Sequence, residues 1–165
     1  MSLQNKNLKN STLSKSQACC CTWLLHFYST FNGRKEKMSY YFSKIMPSSF
    51  DEAIEKTKEE LKKEGFGVLT EIDVKETLKK KLNVDFSKYK ILGACNPNYA
   101  YKALQAENKI GTMLPCNVII QQVSPSQVEV AAIDPVASMQ AVENPELEEI
   151  ASKVREKLQS VISRL

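Results

Sequence analysis

Tyr40-Tyr41-Phe42-Ser43-Lys44-Ile45 is an aromatic and β-branched run that Pro47 ends, and it predicts a first strand. The rhythm then lengthens. Phe50, Ala53, Ile54, Thr57 and Leu61 recur at intervals of three and four, which places them on one face of a helix whose other face mixes Glu and Lys. Ser49 and Glu52 have capping-box spacing at its start, and Gly65 stops it. Glu52/Lys56 and Glu59/Lys63 are spaced for weak surface pairs. Phe66 to Ile72 alternates as a second strand with Phe66, Val68, Thr70 and Ile72 on one side, and Asp73 caps a second helix running to Leu82.

Tyr89 to Ala94 predicts a third strand, which Asn96-Pro97 ends. Pro97 suits the first turn of a helix carrying Tyr99, Ala100, Ala103, Leu104 and Ala106. Asn108 to Gly111 reads as a turn, and Leu114 to Val123 as a buried strand because Val118, Ile119 and Ile120 are consecutive and β-branched. The short link Ser124-Pro125-Ser126 makes the strand from Gln127 to Ile133 its hairpin partner. Asp134-Pro135 breaks that strand. Asn144 caps a last helix with Pro145 at its first position, and Leu147, Ile150, Ala151, Val154, Leu158, Val161, Ile162 and Leu165 form one core-facing stripe. These elements predict an α+β domain, with a mostly antiparallel sheet of about five strands and helices covering one face. The uncovered face must be polar, hold a ligand or lie against a second subunit.

At 165 residues and 42% hydrophobic, the chain has material for one domain with a core. Its formal charge of +4 suggests an acidic partner, but residues 1–37 hold six of the 23 basic residues and one of the 19 acidic ones. The remainder is close to neutral and carries no electrostatic footprint for nucleic acid. Lys6, Lys9 and Lys15 followed by the apolar stretch Ala18 to Phe31 have the outline of a signal peptide. That stretch is too short to span a bilayer as a helix, and His26, Ser29 and the charged run to Lys37 interrupt the pattern. The expectation is that residues 1–37 are a disordered extension or a misassigned start upstream of Met38, the alternative being a secreted or surface-anchored form. Three adjacent cysteines, Cys19 to Cys21, with Cys95 and Cys116 make a poor disulfide framework, so a reducing, cytoplasmic setting is the simpler reading.

The candidate chemistry is narrow. His26 is the only histidine and lies outside the patterned region, which removes His-dependent triads and the usual imidazole metal ligand there. No glycine-rich phosphate loop is present, and two cysteines without a CxxC pair or His do not make a zinc site, so neither a cofactor nor a metal is expected. Cys95 and Cys116 at strand ends are candidate redox or nucleophilic thiols if a helix N-terminus lowers their pKa, or small core residues if it does not. Asn96, Asn98 and Asn117 serve turns and caps, or present amides to one polar pocket shared with the cysteines. The leading expectation is non-catalytic binding of a small ligand or partner at Cys95, Asn96, Asn98, Cys116 and Asn117. The alternatives are a thiol-dependent redox or sensing protein and an assembly module.

The segments GFGVLTEIDVKETLKKKL at 65–82, YKILGACNPNYAYKAL at 89–104, IGTMLPCNVII at 110–120 and AAIDPVASM at 131–139 resemble the family known as domain of unknown function 302, over about residues 38–165. The resemblance implies a compact α+β domain similar in outline to TATA-binding-protein repeats, and a homodimer. The matching motif residues are Cys95, Asn96, Pro97, Cys116, Asn117, Asp134 and Pro135. It implies no established activity.

Overall fold

A computed structural model describes residues 39–165, so the expected extension over residues 1–37 lies outside the described residues. Five strands, β1 (Tyr41–Met46), β2 (Gly67–Asp73), β3 (Tyr89–Cys95), β4 (Cys116–Ser124) and β5 (Gln127–Ile133), form one sheet in the order β1-β5-β4-β3-β2. Every neighbouring pair is antiparallel. The helices are α1 (Phe50–Lys63), α2 (Val74–Leu82), α3 (Pro97–Ala106), α4 (Pro135–Ser138) and α5 (Pro145–Arg164), with a 3-10 turn at Ile110–Met113. The architecture is α+β, as expected.

Helices α1 and α5 cover one face of the sheet with the predicted stripes. Phe50, Ala53, Ile54, Thr57 and Leu61 of α1 are buried, and so are Leu147, Ala151, Val154, Leu158, Val161 and Ile162 of α5. They meet Leu92, Ala94, Cys116, Val118, Ile120, Val128, Val130 and Ala132, the alternate residues of the three central strands. Each fully buried Leu, Ile or Val contributes about 1.5–3 kcal/mol, so this layer dominates the favourable side of folding. A smaller cluster of Ala103, Ile110 and Leu147 joins α3 to α5.

The caps follow the sequence. Ser49 Oγ accepts from Glu52 N, while the Glu52 carboxylate accepts from Ser49 N at 3.1 Å. This occupies Glu52, so the expected Glu52/Lys56 pair is absent, and Lys56 instead donates to the main-chain oxygen of Leu165. Lys63 pairs with Glu60 at 2.6 Å rather than with Glu59. Glu60 faces the interior edge of α1, where Arg164 at 2.7 Å also reaches it. Glu64 holds Lys157 and Arg164, each at 3.0 Å, completing a charged tie between the C-terminal ends of α1 and α5.

Two predicted features differ. Strand β2 does not alternate strictly, because its register with β3 shifts between Val68 and Thr70. Val68 pairs with Ala94 on the helix side, whereas Thr70 and Ile72 pair with Gly93 and Ile91 on the open side, as a one-residue bulge requires. Helix α2 forms, with Asp73 Oδ1 accepting from Glu76 N at 3.0 Å, but it buries no residue. Its sequence has one weak apolar face, and it lies beside β2 and β3 without burying a side chain.

Candidate functional site

The stretch between β3 and β4 divides its candidate residues between two places. Asn96 is buried and caps α3: its side-chain oxygen accepts from Asn98 N at 3.2 Å and its Nδ2 donates to the Glu64 carbonyl at 3.3 Å. Asn98 itself is exposed. Gly65, at φ +82°, brings the backbone so close that a Cβ there would lie 3.0 Å from Asn96 Nδ2. The Asn96 amide therefore ties the end of α1 to the start of α3.

Cys95 and Cys116 line a crevice of about 30 Å³ together with Asn96, Tyr99 and the apolar side chains of α3 and α5. That volume holds about one water molecule and no metabolite. Burial raises the Cys95 thiol, and burial reinforced by the neighbouring Cys95 pushes Cys116 up to about 11. The helix start beside Cys95 thus does not produce a thiolate; desolvation wins. Among the described residues no three His, Cys, Asp or Glu side chains come together as metal ligands.

Asn117 belongs elsewhere. Cys116 pairs with Ala94 on the helix side, so Asn117, one residue on, points from the opposite face of β4. The single pocket expected to join Asn96 and Asn117 is not formed: the pleat separates them. Asn117 instead lines a hollow of about 390 Å³ on the uncovered face, together with Tyr40, Tyr41, Tyr89, Gln121 and Glu129. The size suits a small ligand.

Sequence spacing does not reveal this hollow, because its residues come from four strands and the link before β1. The available signal was Glu129, a charge in the middle of an apolar strand. Gln121 and Glu129 are cross-strand partners, and Gln121 Nε2 donates to Glu129 Oε2 at 2.6 Å. Tyr40 and Tyr41 meet edge to face with centroids 5.0 Å apart. The Tyr89 hydroxyl is pushed above its ordinary range by burial first, and then by Tyr40 and Glu129 nearby. Strand register gives the face its character. Lys44, Glu71, Asp73 and Lys90 all point to the helix side, leaving Glu129 as the one charged strand residue on the open side.

Pro135 lines the cysteine crevice, whereas Asp134 lines neither place. Asp134 is buried, caps α4 through Val136 N at 3.0 Å and pairs with Arg155 of α5 at 3.1 Å. Arg155 also lies over the Phe42 ring at 5.7 Å. These contacts fasten the end of β5 to the last helix, and they account for the motif by structure alone.

Comparison with known proteins places this arrangement. A crystal structure of an uncharacterized conserved DUF302 protein from Bacillus stearothermophilus is similar with a TM-score of 0.70 and 30% sequence identity, over 76% of this chain and 97% of that one. No curated protein matches. The family model described as domain of unknown function DUF302 matches residues 42–165, which takes in both covering helices, the cysteine crevice, the sheet from Phe42 onward and the hollow apart from Tyr40 and Tyr41. The chain belongs to the DUF302 family.

Proposed function

We propose that the domain is a non-catalytic binding protein, acting as a homodimer in a reducing, cytoplasmic setting, and that its ligand sits in the hollow on the uncovered sheet face. The observation that carries this reading is the contrast in room. The open face offers about 390 Å³ bordered by polar groups, against about 30 Å³ beside the cysteines. Neither place pairs a nucleophile with a base, which favours binding over catalysis.

Thermal-shift screening of the full chain with small metabolites tests it. A compound that raises the melting temperature should lose its effect in Asn117→Ala, whose side chain borders the hollow, and keep it in Asn98→Ala, which does not. A compound whose effect survives Asn117→Ala and perturbs the cysteine crevice instead would defeat the assignment.

A thiol-dependent role is the weaker reading, since both thiols are raised and Cys116 is buried. Assembly has one observation in its favour. Strand β2 is an edge of the sheet, and Leu69, Ile72, Leu82 and Phe86 on and beside it are exposed. A second copy related by a two-fold axis would pair β2 with β2 and bury them, leaving the hollow on the β1, β5 and β4 side open.

A further inference from the structure

An uncovered sheet face with a single charge constrains what can bind there. Glu129 lies on β5, beside the edge strand β1, partly buried, and among the described residues no lysine or arginine pairs with it. The neutral Gln121 amide donates a hydrogen bond to it. A carboxylate in this position has no basic partner and gives up part of its hydration. Three aromatic residues, Tyr40, Tyr41 and Tyr89, line the same hollow. Ring faces attract cations, and a carboxylate beside them supplies the counter-charge. The same set disfavours an anion, which would meet Glu129 with no basic side chain from any strand on this face to hold it.

Resting on the hollow as the binding site, we propose that its ligand is a small organic cation, an ammonium group seated against the tyrosine rings and paired with the Glu129 carboxylate. Gln121 holds the carboxylate in place, and Asn117 contacts a polar substituent at the far side of the ligand.

The test uses the full chain, isotopically labelled and followed by NMR, titrated with choline and benzylamine and with their neutral counterparts 3,3-dimethylbutanol and benzyl alcohol. The cations should shift the Tyr89, Gln121 and Glu129 amides and bind at least about ten-fold more tightly than the neutral compounds, the size expected for a ring and carboxylate pair. That advantage should disappear in Glu129→Gln, which keeps the side-chain volume and a hydrogen-bonding partner for Gln121, and should shrink as salt is raised. Tyr41→Leu, at an exposed ring, should weaken the cations more than the neutral compounds and guards against a folding defect in the first variant. Equal affinity for charged and neutral members, or unchanged cation affinity in Glu129→Gln, overturns the cation assignment while leaving the hollow as a binding site. No shift with any of the four compounds also overturns it, and the metabolite screen then decides on the hollow itself.

Discussion

Asn96 and Asn117 each follow a cysteine, yet one residue is internal scaffolding and the other borders an open hollow. Asn96→Ala removes two partly buried hydrogen bonds, one of them the α3 cap, and should cost about 1–3 kcal/mol of stability by denaturant unfolding. Asn117→Ala, at an exposed position, should leave stability within experimental error and change only binding. Gly93 is a second residue whose role lies in what it lacks. A Cβ there would lie 2.3 Å from Thr70 Oγ1 and 2.8 Å from Pro115 Cγ. Gly93→Ala should therefore cost about 1–3 kcal/mol, with part of the loss restored by Thr70→Ala. The thiols make a kinetic prediction. Cys116, raised to about 11, should resist maleimide in the native protein, and Cys95 should react more slowly than in the urea-unfolded chain, by peptide mass mapping. Rapid native labelling of Cys95 would revive the thiol reading.

At the scale of elements, the tie between α1 and α5 is the clearest titrating feature. Glu60 and Glu64 are both held below the ordinary carboxylate value of 4.5, Glu60 by Lys63 and then Arg164, Glu64 by Lys157 and then Arg164. In the unfolded chain these groups take up protons first as pH falls, so acid favours unfolding. Their contribution is present above about pH 4.5 and is lost as pH falls below it through their folded values. Thermal melts of the Glu60→Gln, Glu64→Gln double variant should show a shallower loss of melting temperature across that window than the parent. An unchanged slope would assign acid sensitivity to other groups. The two helices themselves were legible, because a stripe of apolar residues at helical spacing admits few alternatives. The bulge in β2 was not. Phe66, Val68, Thr70 and Ile72 alternate correctly on paper, and only pairing with β3, where Thr70 packs against Gly93, makes the strand change faces.

For the whole molecule, the exposed apolar residues near the β2 edge predict a dimer. Light scattering behind size exclusion should give twice the chain mass, and Leu69→Glu with Phe86→Glu should return the monomer without unfolding it, since both side chains are exposed. A monomeric parent would leave the edge unpaired and remove the homodimer from the proposal. No helix among the described residues is long and apolar enough to cross a membrane.

The strands, the two packed helices, their caps, and the family through the Cys-Asn-Pro and Pro-Cys-Asn segments are local features of the chain. Each of these depends on neighbours within a few positions, where periodicity and capping chemistry act. Tertiary structure alone decided which side of the sheet each residue serves. Cys116 and Asn117 are adjacent in the chain, but the pleat sends one into the core and the other to the open face. It also assembled Tyr40, Tyr41, Tyr89, Gln121 and Glu129, drawn from distant segments, into one hollow. No periodicity reports such a meeting, because it follows from strand order and register across the whole sheet.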